Sequence, residues 1–186
     1  MRIISGNFKG KKIFQPKDKS TRPLKDLTKE SIFNIIEHSN LFNIKIEKSH
    51  ILDLFSGVGS FGLECVSRRA LSVTFFENYK KVLPILKKNI FNIDLFKISK
   101  IVDHNIFDQK AFNNLKKKFD IIFLDPPYKE KKISQLLEKI IELNLLKKDG
   151  IFIIHRHKKE KDNFSKKFKI LKEKSYGISK IIFGKN

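Results

Sequence analysis

His50-Ile51-Leu52-Asp53-Leu54-Phe55-Ser56-Gly57-Val58-Gly59-Ser60-Phe61-Gly62 is a short apolar run that breaks into a glycine-rich turn. An apolar run of this length bounded by glycines reads as a strand buried on both faces. The glycines let the chain turn sharply and let a ligand approach bare backbone. Residues 61–69 then read as a helix, so the segment is strand, loop, helix. Gly57 to Gly62 matches G-x-G-x-x-G, and Glu77 lies 20 residues beyond Gly57, the spacing of a ribose-binding carboxylate. A dinucleotide site and an S-adenosylmethionine site both fit this much. Asp53 and Phe55 weigh toward the second. A dinucleotide loop presents its helix to a pyrophosphate and gains little from added negative charge, whereas S-adenosylmethionine carries a sulfonium cation and no phosphate. A third reading, with no cofactor, has Asp53 capping a turn and the glycines only allowing close helix–strand packing.

The same pattern repeats outward. Residues 71–76 read as a second strand ended by Glu77, 79–91 as a helix, 98–102 as a third strand, 108–118 as a helix and 119–124 as a fourth strand. A helix over 133–146, a fifth strand over 151–154 and a hairpin over 168–176 and 179–183, turned near Gly177, complete the chain. Alternating strands and helices predict an α/β fold, a mostly parallel sheet with helices on both faces. Ligands of such sheets bind at the carboxyl ends of the strands. Asp53 to Gly59, Glu77, Asp103 to Asn105 and Asp125 to Tyr128 all fall there.

Ahead of the first strand the chain is irregular. Arg2-Ile3-Ile4 and Lys12-Ile13-Phe14 predict a hairpin, and Arg22-Pro23 a break followed by a helix capped by Asp26 or Thr28. Leu27, Ile32, Phe33, Ile35 and Ile36 supply that helix with a buried stripe. The expected division is an extension over 1–48 and a catalytic domain over 49–186.

Asp125-Pro126-Pro127-Tyr128 follows the fourth strand directly. Two prolines hold the backbone extended and remove two amide donors. A rigid edge of acceptors remains, suited to an exocyclic amine, and Tyr128 offers an aromatic face to a planar base. A proline turn with a tyrosine lid over the core is the plainer alternative.

The formal net charge is +20, from 40 basic and 20 acidic side chains. A charge of this size favours an anionic partner. It is densest at the ends, net +6 over residues 1–50 and +8 over 151–186. Candidate phosphate contacts are Lys9, Lys11, Lys12, Arg22, Lys25 and Lys29, with the lysines after His157. Since 35 of the 40 basic residues are lysine, drift in composition competes with this reading. Cys65 stands alone, which excludes an internal disulfide framework and a cysteine-rich zinc site. His155 and His157 have no carboxylate cluster near them in the sequence, so no metal site is expected. No apolar run is long enough to span a bilayer, and Met1-Arg2-Ile3-Ile4-Ser5-Gly6 is not a signal peptide. A cytoplasmic protein with no membrane partner is expected.

Arg2-Ile3-Ile4-Ser5-Gly6 with Gly10, Arg22-Pro23, Asp26, Glu30 and Phe33-Asn34, then Asp53 to Gly62, then Asp125-Pro126-Pro127-Tyr128, together resemble the RsmD family. These are bacterial 16S ribosomal RNA (guanine-N2)-methyltransferases of the small ribosomal subunit. The resemblance runs from Arg2 to about Phe183, and the amino-terminal segment is its most specific part. It implies a class I, Rossmann-like methyltransferase fold with a seven-stranded sheet whose last strand is antiparallel. It implies S-adenosylmethionine as methyl donor and a guanine N2 amine of 16S rRNA as acceptor. By position, Asp53, Phe55, Gly57 and Gly59 would form the cofactor loop and Glu77 would hold the ribose. Asn105, or Asp103 in its place, would lie near the adenine, and Asp125, Pro126, Pro127 and Tyr128 would hold the target base. The substrate would be rRNA within an assembling or assembled 30S subunit, and the enzyme a monomer. The competing readings are an amino-methyltransferase acting on DNA or a protein glutamine, an NAD-dependent oxidoreductase, and a non-enzymatic RNA-binding assembly factor.

Overall fold

A computed structural model describes residues 1–17, 24–108 and 110–186. Arg22 lies outside the described residues, and so do most of the residues before the first helix that carry the predicted break. Helix α1 spans Asp26–His38, and strand β1 His50–Leu54. Then follow α2 Ser60–Ser67, β2 Ser72–Phe76, α3 Leu83–Asn92, β3 Ser99–Val102 and β4 Phe119–Leu124. Last come α4 Ile133–Glu142, β5 Leu146–His157, β6 Lys169–Tyr176 and β7 Ser179–Lys185.

The seven strands form one sheet in the order β3-β2-β1-β4-β5-β7-β6. The pairs from β3 to β5 are parallel, and β7 runs antiparallel to both β5 and β6. Successive side chains of a strand point to opposite faces, and two cores follow. Ile51, Val73, Phe75, Ile121, Phe123 and Ile153 face α1, α2 and α3, while Leu52, Leu54, Ile122, Leu124 and Ile154 face α4. The fold is the mostly parallel sheet with helices on both faces that the periodicity predicts, with the seven strands that the family resemblance implies.

Some elements differ from expectation. Asp108 and residues 110–118 form no helix; among the described residues the chain runs through i to i+3 turns, Asp108–Ala111, Lys110–Asn113 and Phe112–Leu115. Asn113-Asn114 stands in the middle of the segment, and asparagine side chains compete for nearby backbone groups and favour turns over helix. Helix α4 ends at Glu142, earlier than expected, because Asn144 takes a left-handed φ of 52° that stops it. Leu146 therefore already opens β5. At α1, neither Asp26 nor Thr28 caps the helix; Lys25 holds the cap position with no side-chain bond. Leu27 is 80% exposed. One helical turn before Ile32 and Phe33 lie Thr28 and Lys29, so these, not Leu27, complete the buried face.

Lys29 is the main correction. It is buried, so it contacts no phosphate. Its Nζ donates to the carbonyl of Arg2 at 2.8 Å and to Ser60 Oγ at 3.2 Å, and lies 3.8 Å from Glu64 Oε2. Burial pushes its ammonium below the usual lysine range, against the pull of Glu64 and Asp26. Glu64, also buried, accepts from the amides of Ile4 at 2.7 Å and Ser5 at 2.9 Å and from Arg68 Nε at 3.0 Å. This node ties the amino-terminal segment to α1 and to the helix after the glycine loop. Asn89 of α3 adds a second tie, donating to the carbonyls of Val58 and Phe14 and accepting from the amide of Phe14. Replacing Glu64 by Ala should leave Lys29 buried without its carboxylate and cost about 3–5 kcal/mol, read from denaturant midpoints; an unchanged midpoint would contradict the role given to the node.

Candidate active site

The strand order reverses between β1 and β4, which lie side by side. The connections leaving their carboxyl ends diverge to opposite faces and open a crevice, the usual ligand position in such sheets. Here the crevice is a cleft of about 560 Å³. Asp53, Phe55 and Gly57 line it from the β1 loop, Glu77 from the end of β2, and Asp125 to Tyr128 from the end of β4. Met1, Gln15, Pro16 and Leu24 of the amino-terminal segment form a further wall.

The loop's shape follows from its backbone. Phe55 and Gly57 take φ of 59° and 55°, turning the chain back under the strand end. A Cβ on Gly57 would meet nothing within 4 Å, so this glycine leaves open space for a ligand. Gly59 is different. It is not part of the cleft lining, and a Cβ there would stand 2.7 Å from Leu86 Cδ1. Its smallness serves the packing of the loop on α3, and its φ of 86° starts α2.

Three carboxylates converge on the cleft. Asp53 is almost wholly buried and accepts from the amide of Gly62 at 3.0 Å. Burial pushes its carboxyl well above the usual range, and the charges of Asp125 and Glu77 push the same way against the Gly62 bond. Glu77 accepts from the amide of Gly57 at 2.8 Å and from that of Tyr79 at 2.7 Å. A pyrophosphate would find the Gly57 amide already donated to a carboxylate and two further acids nearby. A cationic ligand with ribose hydroxyls finds acceptors and favourable charge. The residues fit S-adenosylmethionine and disfavour a dinucleotide.

Asn105 is exposed and lines a smaller adjoining cavity of about 180 Å³, which shares Phe55, Glu77, Asn78 and Pro127 with the main cleft. Its Oδ1 accepts from the amide of Phe107 at 3.0 Å. His104 lines this cavity too, whereas Asp103 lines neither. Lys9, Lys11, Lys12 and Lys25 are exposed.

The corner after β4 is anchored at both ends. The amide of Asp125 donates to the carbonyl of Leu54 at 3.3 Å, closing β4 onto β1. Tyr128 Oη lies 2.8 Å from Ser179 Oγ, and its ring stands edge-on to that of His157 at 4.9 Å. Arg156, fully buried, grips Asp162 through Nε and one terminal nitrogen, both at 2.9 Å, and donates to the carbonyl of Glu130 at 2.9 Å. His155 Nδ1 lies 2.7 Å from Asp125 Oδ1. Sequence reading missed His155, Arg156 and Ser179, along with the wall made by Met1, Gln15, Pro16 and Leu24. The one available signal was two polar residues, His155 and Arg156, continuing an apolar strand without a turn residue between.

This sheet order and cleft define a class I S-adenosylmethionine-dependent methyltransferase domain. The family model described as "Conserved hypothetical protein 95" matches residues 1–185. Ribosomal RNA small subunit methyltransferase D of Buchnera aphidicola subsp. Baizongia pistaciae is 38% identical over 156 residues, which is 84% of this chain and 76% of that protein. A solved structure of a Haemophilus influenzae protein described as a methylase superposes with a TM-score of 0.78 at 30% identity, covering 100% of this chain and 98% of the other. A further fold relative, described as a methyltransferase and solved in complex with SAH, has a TM-score of 0.66 at 19% identity over 86% of this chain and 50% of that one. The chain belongs to the conserved hypothetical protein 95 family, that is, the RsmD family.

The raised carboxyl of Asp53 has a pH signature. Above the unfolded-chain value near 3.8 the folded protein holds this proton more tightly than the unfolded chain does. Its contribution to stability is full below that value and is lost as pH rises through the folded value. Asp53→Asn should flatten this decline, so its denaturant midpoint should gain on wild type as pH rises; parallel curves for the two proteins would contradict it.

Proposed function

We propose that the protein transfers a methyl group from S-adenosylmethionine to the exocyclic N2 amine of a guanine in 16S rRNA, acting as a cytoplasmic monomer on an assembling or assembled 30S subunit. The observation that carries this reading is that the acidic glycine loop and the Asp125-Pro126-Pro127-Tyr128 corner line one cleft. The family and the rRNA methyltransferase name of its Buchnera relative support the acceptor class.

Bound S-adenosylmethionine supplies a methyl carbon made electrophilic by its sulfonium. The chain's residues do the rest. Glu77 accepts from the ribose hydroxyls, and Phe55 and Gly57 border the same ligand. Asn105, at the adjoining cavity, sits toward the adenine end. An aryl amine is a weak nucleophile because its lone pair is spread into the ring. Asp125 and the Pro126 carbonyl accept its hydrogens and aim the lone pair across the cleft, and positioning of this kind supplies roughly 7–11 kcal/mol of a barrier. Pro126 and Pro127 keep that edge rigid. Asp125 stabilises the positive charge that grows on nitrogen, and Tyr128 stacks on the extruded base for about 1–3 kcal/mol. Lys9, Lys11, Lys12 and Lys25 of the extension over 1–48 face RNA phosphates.

Incubating the protein and labelled donor with 30S particles, naked rRNA, DNA and protein should label rRNA alone, and digestion should yield N2-methylguanine; label in DNA or protein would overturn the acceptor. Asp125→Ala should lower transfer by about 10²–10³-fold, the loss seen when one such stabilising group is removed, with donor affinity retained in calorimetry. Transfer at the wild-type rate would refute its role. RNA affinity should fall steeply with added salt, and a flat response would assign the charge to composition alone.

A further inference from the structure

Behind the acidic proline corner lies a histidine that the mechanism has not used. His155 is buried on β5, between Asp125 on one side and β7 on the other, where it pairs with Ile181. The parallel register sets Leu124 opposite Ile154, so the next residues along the two strands, Asp125 and His155, come out together at the sheet's carboxyl end. His155 Nδ1 and Asp125 Oδ1 are 2.7 Å apart, and Asp125 lines the cleft.

We propose that His155 is a positioning residue for methyl transfer: its Nδ1–H holds the Asp125 carboxylate in the orientation that receives the acceptor amine. The inference rests on the amino-methyltransferase reading above. The two prolines after Asp125 fix the backbone, which leaves the side-chain torsions as the remaining freedom of the carboxylate. The last of these, between Cβ and the carboxyl carbon, has no sharp minimum of its own. A donor on one oxygen supplies one.

The contact also limits what His155 does. At 2.7 Å the two atoms share one proton. With the carboxylate ionised, that proton is on nitrogen and Nδ1 donates. A second proton arriving at Oδ1 would face an N–H, so Nδ1 does not drain the proton released by the amine. Its work is orientation and stabilisation of the anion. Neighbouring polar and charged groups among the described residues fit this division of labour. Tyr128 stands edge-on to the His155 ring at 6.1 Å and to the His157 ring at 4.9 Å, with its hydroxyl on Ser179. Arg156 neighbours His155 in the strand and is engaged with Asp162 and with the carbonyls of Pro127 and Glu130. His155 is thus the residue of β5 that reaches the carboxylate itself.

The test compares three variants in single-turnover methylation of rRNA. His155→Asn keeps an N–H close to the place of Nδ1, His155→Gln carries its amide one bond too far, and His155→Leu has no donor. The expected result is a fall in kcat of up to roughly 100-fold for His155→Leu and His155→Gln, the scale of a misplaced reacting group. RNA KM and donor affinity should stay within about twofold, and His155→Asn should recover most of the rate. Wild-type kcat in His155→Leu or His155→Gln overturns the proposal, and so does a His155→Asn as slow as the other two. If His155→Leu does not fold, the Asn and Gln pair decides alone. Failure of the wild-type protein to methylate rRNA would instead remove the functional reading, and this inference with it.

Discussion

The hydrogen bond from the amide of Asp125 to the carbonyl of Leu54 closes two neighbouring strands at the place where the order of the parallel strands reverses. Everything that makes the cleft depends on that adjacency. The loop leaving β1 turns toward α2 on one face, the corner leaving β4 heads toward α4 on the other, and the gap between them is the site. Placing β1 beside any strand other than β4 would put the glycine loop and the proline corner in separate places. The functional residues come from distant parts of the chain, yet they are fixed by two neighbouring strands at the centre of the sheet.

The cleft is built against its own electrostatics. Burial, with the charges of Asp125 and Glu77 added to it, makes the Asp53 carboxyl hold its proton more tightly than an exposed one. Such an arrangement persists because backbone amides of the loop and of the first turn of α2, those of Gly57 and Gly62, are spent on Glu77 and Asp53. The loop that in other sheets of this type offers its amides to phosphate here offers them to the protein's own acids. That single exchange turns a glycine-rich loop from an anion receptor into a cation receptor.

The central strands β1, β2 and β4 are legible as largely apolar runs, because burial on both faces leaves little room for polar residues beyond the Asp53 and Thr74 that they bury. The glycine loop and the proline corner were legible for the same local reason: their residue types restrict the backbone wherever they stand. What could not be read depends on partners far along the chain. Lys29 looks like any of the other lysines until Glu64 and the Arg2 carbonyl are placed around it. Leu27 looks like core until the helix's phase is set by Thr28 and Lys29. His155 and Arg156 look like the end of a strand, whereas β5 continues through them because Asp125 meets His155 Nδ1 and Asp162 with the loop carbonyls takes the Arg156 guanidinium. The segment over 108–118 carries apolar residues and good helix formers, and only the Asn113-Asn114 pair in its middle signals the turns that the chain takes there.

Phe33 of α1 stacks on Phe61 of α2 with centroids 5.3 Å apart, and Phe61 stacks on Phe123 of β4 at 4.0 Å. Aromatic pairs of this kind add about 0.5–1.5 kcal/mol each beyond the area they bury. The column runs from the amino-terminal helix to the middle of the sheet, and its central ring lines the cleft. Peeling α1 away would strip one face of Phe61 and loosen the wall beneath the ligand. The amino-terminal helix and the central strands should therefore exchange their amide hydrogens as one cooperative block.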